Sequence, residues 1–553
     1  MSRPSSFAAA RPARAPLSTS HAAQPARAPW STSLAARTSL AAAFALSLVA
    51  CKSSSNKASP PAGGSAAAGS AATGSGAAAS GATGASGSAA GGSGAGSNVA
   101  GAGAGGSGVA GDPWNKAAAP ATPDTPEQRK ARAQAALSRV EGIMPKLAKV
   151  RDLTFEHPVP TEYQTTDDFR KYLEQDIKKE LPPDKAKAEA EAFLQMGLFQ
   201  KPIDLAAVLE QTMATQAGAY YDPKAKKFFL VMVPGNDMML DTMSAHELTH
   251  GLQDQHFDLT KYLEPKGTKL DDDQTNARRF VVEGDATFTM LLYAVAANAP
   301  GAGSGFSPTL MSMLEQQVKQ FSDMDLSSFA DMTKQQSALM GGMDPEIKKS
   351  VEAMDSLPPA VLVPLVVSYT KGALVSAVAY KQGGWKAVDE LYAHPPESTE
   401  QTLHPETKLF PTRDRPHKVT LPKAAGTELE NNVLGELMWQ VYFSLWTPKA
   451  GTAASEGWGG DHFVVTRRAD GHVVAEIATV WDSPEDAKQF YDGYLATLAA
   501  RFAGADVSHP EAGVARTDFG KVWVKLAGTK VFIVDGGDDP KLIDQLAAQT
   551  KFD

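Results

Sequence analysis

His246-Glu247-Leu248-Thr249-His250 is the stretch on which the reading of this chain turns. Residues four apart on an α-helix lie one above the other on the same face. Two imidazoles at that spacing can therefore direct ring nitrogens at a single ion, with Glu247 standing beside them. The pattern predicts a helix from about Met238 through His250. A second helical pattern runs over roughly Asp272–Ala297. Between Ala219 and Met232, two β-prone runs flank Asp222-Pro223, which reads as a hairpin.

The five residues form the His-Glu-x-x-His arrangement of zinc peptidases. Zinc takes neutral imidazoles, and a catalytic zinc site keeps one position open for water. Glu247 is then placed to accept that water's proton as general base. A third ligand is required, and the sequence offers two. Glu283, in Phe280-Val281-Val282-Glu283-Gly284-Asp285-Ala286, lies on the next predicted helix, where an antiparallel partner would supply it. His256 is the rival, in Gly251-Leu252-Gln253-Asp254-Gln255-His256. That run nearly matches the metzincin pattern, which needs Gly at the position of Gln253 so that the chain can turn. If the helix continues instead, His256 lies well off the ligand face.

Glu283-Gly284-x-Ala286 resembles the Glu-Gly-x-Ala element of the membrane-alanyl aminopeptidases. The site as a whole resembles the gluzincin class of metallopeptidases, which also includes the thermolysin-like families. Val282 stands where the aminopeptidase pattern usually has Asn, and residues 251–282 make a longer spacer than that family uses. The resemblance covers motifs between about 240 and 410. It implies Zn²⁺ held by His246, His250 and Glu283, and a peptide or protein substrate. Tyr369-Thr370-Lys371-Gly372 resembles the family's Tyr-x-Lys-Gly element, whose tyrosine stabilises the oxyanion. His404, between Leu403 and Pro405 in a polar loop, is the other candidate for that role; the alternatives are a core tyrosine and a turn histidine. Asp285 is a candidate to orient a ligating histidine, because metal-bound imidazoles commonly donate their second N–H to a carboxylate. Asp241 and Asp254 are weaker candidates of the same kind. The strand around Phe228–Met232 could pair with an extended substrate as an open sheet edge.

Outside the motif, composition is uneven. Residues 1–111 contain no Asp or Glu, although the whole chain carries a formal net charge of -9. The folding part is therefore acidic, which argues against a nucleic-acid partner. The single cysteine, Cys51, rules out intramolecular disulfides and cysteine-rich zinc sites. It follows Ser39–Ala50, a short apolar run with arginines upstream, which has the form of a secretory signal. Leu48-Val49-Ala50-Cys51 resembles the lipobox of bacterial lipoproteins. That resemblance implies cleavage before Cys51, lipid attachment to its sulfur, and a membrane partner in the cell envelope. Lys52, where Asp would favour inner-membrane retention, points to the outer membrane.

Four segments are expected. Residues 1–51 are a signal peptide with lipobox. Residues 52–112 are a Gly/Ala/Ser linker that cannot offset its own ordering entropy. Residues 113–425 form a mainly helical, zincin-like catalytic domain with a small sheet. Residues 426–553 form an α+β domain of ββαββα order: strands at His462–Arg468 and His472–Trp481, a helix from Ser483, strands at Val522–Leu526 and Lys530–Val534, and a last helix from about Pro540. The fold class is therefore α+β. Within the tail, Gly457-Trp458-Gly459-Gly460-Asp461 reads as a tight turn with a packed Trp rather than a stacking platform. A non-catalytic envelope protein on a zincin scaffold is the remaining alternative. The oligomeric state is not legible.

Overall fold

A computed structural model describes residues 125–216, 218–231, 237–298, 306–323, 357–448 and 451–553. The expected signal and lipobox with Cys51, and the Gly/Ala/Ser stretch, lie outside the described residues, as does Met232 of the predicted hairpin.

Helix α1 (Pro126–Glu141) begins where the sequence places it. The Thr125 hydroxyl accepts from the Gln128 N–H, the Gln128 side chain accepts from the Thr125 N–H, and Pro126 opens the helix. Then follow α2 (Met144–Arg151), β1 (Thr161–Tyr163), α3 (Thr166–Glu180), α4 (Pro183–Met196) and α5 (Leu205–Gln216). Strands β2 (Ala219–Asp222) and β3 (Lys227–Leu230) pair antiparallel, so the hairpin is present. The Asp222 carboxylate closes its turn by accepting from the Lys224 and Ala225 N–H groups.

The site-bearing helices come next. α6 (Asp237–Phe257) holds the five-residue motif, and α7 (Leu259–Leu263) follows it. α8 (Asp272–Asn298) holds Glu283. After α9 (Pro308–Ser322) comes α10 (Pro359–Gly383), with Tyr369. By length and composition α8 and α10 could each cross a membrane, yet both have 78% of their most apolar window buried inside the protein. They are core helices. At their crossing, Gly284 faces Gly372: a Cβ on Gly284 would stand 2.1 Å from the Gly372 carbonyl carbon. Both glycines are needed for the two backbones to touch, which is a physical reason for glycine in both motifs.

The order of the small sheet is β1-β3-β2, with β1 and β3 parallel. Phe228–Leu230 is thus the central strand, paired on both sides. The expectation that it offers a free edge to substrate is corrected: β1 and β2 are the edges.

Helices α11 (Trp385–Ala393) and α12 (Thr399–Leu403) and the π-helical turn Pro405–Leu409 lead into β4 (Val419–Thr420) and β5 (Thr427–Asn432). The rest comprises α13 (Gly435–Trp446), β6 (Trp458–Arg467), β7 (Val473–Trp481), α14 (Pro484–Arg501), β8 (Val514–Ala515), β9 (Lys521–Ala527), β10 (Lys530–Gly537), α15 (Lys541–Gln549) and β11 (Lys551–Phe552). The ββαββα order is present, inside a six-stranded sheet β5-β6-β7-β10-β9-β8. Alternate residues of its strands face opposite ways. Ala475 and Ile477 pack toward Trp439 of α13 and Phe490 of α14. Val474, Ala478 and Val480 face Ile543 and Leu546 of α15. The molecule is therefore α+β.

The expected domain boundary at residues 425/426 does not separate the apolar side chains into two clusters. The largest apolar cluster instead joins Phe169, Leu173, Phe193 and Leu209 of α3–α5 to Val465, Ile477 and Ile533 of the large sheet. The helices before the site roof the C-terminal sheet, because neither layer alone could cover its apolar face.

One buried group near this junction sets a pH dependence. Glu189 on α4 is fully buried, and neither carboxylate oxygen has a hydrogen-bond partner among the described residues. Burial, then the charges of Glu430 and Asp272, raise its pKa well above the usual carboxylate range. The folded chain thus keeps a proton that the unfolded chain releases at ordinary carboxylate pH. Its contribution to stability is present at low pH and is lost as pH rises. Glu189→Gln is expected to raise the urea midpoint at pH 8 and to change it less at pH 5. A midpoint lowered at both pH values would show that the carboxylate is instead satisfied by a cation.

Candidate metal centre

The two imidazoles and Glu283 come together in the interior. His246 is 1% exposed, Glu247 1%, His250 2% and Glu283 2%. A solvated helix with surface histidines is thereby excluded. Glu283 Oε2 lies 3.2 Å from His246 Nε2 and 3.5 Å from His250 Nε2, and the two Nε2 atoms are 3.2 Å apart. Two ligands of a tetrahedral zinc at the usual bond lengths stand about 3.3 Å apart. The three distances therefore trace one face of such a coordination sphere.

The Glu247 carboxylate belongs to the same cluster, with an oxygen within 4.8 Å of both imidazole nitrogens. Glu247 therefore has its carboxylate within reach of an ion at the two imidazoles, as ligand or as neighbour. Glu247 Oε2 also accepts a hydrogen bond from the Tyr221 N–H at 3.0 Å. That N–H belongs to the edge strand β2, so the small sheet aims Glu247.

Charge in the cluster is strongly coupled. Burial depresses His246, only partly offset by its contact with Glu283. Burial opposes the charged form of His250 too, but the Glu283 charge and hydrogen bond prevail and hold its pKa up at about 9. Burial raises Glu283, yet the His250 charge outweighs it and holds the carboxyl down at about 2. The buried Glu283 charge beside two buried imidazoles calls for one positive charge, which a proton on His250 or a bound cation can supply.

The remaining predicted residues fall in different places. Tyr369 is buried with its ring centroid 5.6 Å from that of His246, so α10 brings it to the cluster. His404 instead bonds Glu436 of α13 at 2.9 Å, and no hydrogen bond joins it to the two motif histidines. Helix α6 continues unbroken through Gln253 to Phe257, with no turn of the metzincin kind. His256 Nε2 bonds the Thr154 carbonyl 2.7 Å away and is not part of the cluster. Asp254 bonds the Tyr221 hydroxyl and Lys226, and Asp241 pairs with Arg139; neither orients a motif histidine.

Asp285 does not touch a motif histidine either. It forms a two-pronged ion pair with buried Arg151 at 2.7 and 3.2 Å and accepts from the Tyr392 hydroxyl at 2.9 Å. Its link to His250 runs through Gln253, which sequence reading passed over. Gln253 is three residues past His250 on the same helix face, and that spacing was the available signal. Arg151, on α2, gave no local signal.

Trp458 is 1% exposed and donates its indole N–H to Asp461 at 2.8 Å. The Trp is packed as expected, but the run is not a tight turn: residues 458–461 open β6, with a register shift between Trp458 and Gly460.

A family model described as a domain of unknown function (DUF8575) matches residues 422–546. The match spans the large sheet, α13 and α14 and stops within α15, and it does not include the histidine–glutamate cluster. No curated protein and no solved structure matches the chain.

Proposed function

We propose that this chain is a zinc-dependent peptidase of gluzincin type, held in the cell envelope by a lipid on Cys51. The observation that carries the reading is the set of three buried ligand atoms 3.2, 3.2 and 3.5 Å apart. His246, His250 and Glu283 would hold the ion; two nitrogens and one oxygen are a donor set that zinc accepts. When bound, zinc would acidify a water and polarise a substrate carbonyl.

The chain's own groups supply the rest. Glu247, fixed by the Tyr221 N–H, takes the proton from the attacking water and passes it to the leaving amine. Tyr369, beside His246, donates to the developing oxyanion. Burial of the whole set excludes bulk water, which strengthens each of these interactions.

The test is zinc content and hydrolysis together. Wild-type protein is expected to bind one zinc and to cleave a mixed peptide library. Glu283→Gln is expected to lose the zinc, and His256→Gln to keep it. A wild-type protein that binds no zinc, or that binds zinc and cleaves no peptide, ester or amide, would overturn the reading.

A further inference from the structure

We propose that Gln253 is a positioning residue that fixes the tautomer of His250, with Asp285 and Arg151 setting the direction of its amide. The inference rests on the zinc reading above and extends it to residues outside the ligand set.

The geometry leaves one consistent assignment. One end of the Gln253 amide lies 3.0 Å from the Val282 carbonyl oxygen and 3.1 Å from Asp285 Oδ2. Both are acceptors, so that end must be the NH₂ group. A reversed amide would set an oxygen against two oxygens in a buried site, with neither contact made. Gln253 Oε1 is therefore the end that faces His250 Nδ1, at 2.8 Å. An amide oxygen only accepts, so Nδ1 must carry the proton. In the neutral ring Nε2 is then the nitrogen with a free lone pair. Nε2 is also the atom that lies 3.2 Å from its counterpart on His246 and 3.5 Å from Glu283. The amide thus selects the one tautomer able to bind an ion at the cluster.

The direction of the amide is itself anchored. Asp285 is held as an acceptor by the Arg151 guanidinium, both fully buried, and by the Tyr392 hydroxyl. The Arg151 Nη2 that bonds Asp285 also pairs with Asp389 at 2.5 Å, and the guanidinium stacks on Trp385. The relay therefore runs from α2 and α11 through α8 to the second histidine of α6. His246 has no such support: its Nδ1 is buried without a hydrogen-bond partner among the described residues. The two motif histidines are unequal, and the relay serves His250 alone.

Three proteins test this: wild type, Gln253→Met and Gln255→Met. Gln255 sits on the same helix and makes comparable bonds, to the backbone of Glu156 and His157. It is a structural control away from the cluster. Zinc affinity is read by chelator competition, and stability by urea unfolding of the zinc-free proteins. Gln253→Met is expected to weaken zinc binding roughly 10–100-fold. Gln255→Met is expected to lower the zinc-free midpoint and leave zinc affinity at the wild-type value.

The relay is overturned if Gln253→Met binds zinc as tightly as wild type. It is also overturned if both variants lose affinity in proportion to lost stability, since that is a structural effect. Wild-type protein without zinc affinity would overturn the metal reading itself, a result distinguishable from either outcome above.

Discussion

Glu247→Gln is expected to cut peptide hydrolysis roughly 10²–10⁴-fold, the usual size of a general-base contribution, while zinc content stays at the wild-type level. Gln keeps the shape of the side chain and can still accept from the Tyr221 N–H, the bond that aims Glu247. It cannot take a proton at neutral pH. The substitution therefore separates the two roles that a carboxylate in this cluster could have. Both carboxylates are near the imidazoles: Glu283 stands at 3.2 and 3.5 Å, and Glu247 belongs to the same group of potential ligands. If Glu247 were a ligand, the variant would lose zinc as well as activity. If hydrolysis persisted at the wild-type rate, the proton would be taken by another group, and the catalytic assignment of Glu247 would fall.

Gly284→Ala is expected to be the most damaging single methyl addition around the site. The new Cβ would stand 2.1 Å from both the carbon and the oxygen of the Gly372 carbonyl. These are backbone atoms in the middle of a long helix, so no side chain can swing aside. α8 and α10 must separate, with a cost at or above the upper end of the ~1–3 kcal/mol typical of overpacking. Function suffers by the same movement, because α8 carries Glu283 and α10 carries Tyr369. A lower urea midpoint together with weaker zinc binding is the expected result. Gly267→Ala makes a useful contrast: its Cβ would meet nothing within 4 Å, but its φ of +82° gives a small backbone cost without touching the site. A Gly284→Ala protein with wild-type midpoint and zinc affinity would show that the helices do not cross as closely as described.

Local rules read much of the architecture correctly. The capping box at Thr125, the Asp222 hairpin, helix α6 and the ββαββα tail all follow from residues close together in sequence. Each depends on period, caps or turn chemistry, which act over a few residues. One expectation failed where the answer depended on a distant neighbour. Phe228–Leu230 was read as a free edge, but β1, more than sixty residues earlier, pairs with it (Thr161 with Phe228). Nor does any local pattern show that α3–α5 cover the C-terminal sheet, so that the apolar core runs across residue 425.

The metal cluster divides in the same way. By itself the sequence determined that His246 and His250 share a helix face with Glu247 beside them, because helical period alone fixes that. It left Glu283 and His256 as competing third ligands. Tertiary structure separates the two: α8 brings Glu283 to the two nitrogens, while His256 turns to the Thr154 carbonyl. Tertiary structure also supplied what no local pattern encodes: the Tyr221 N–H on Glu247, and the Arg151–Asp285 pair that reaches Gln253. These contacts join residues far apart in the chain. They exist only because a close glycine crossing and a shared apolar core bring α2, α6, α8 and α10 to one place.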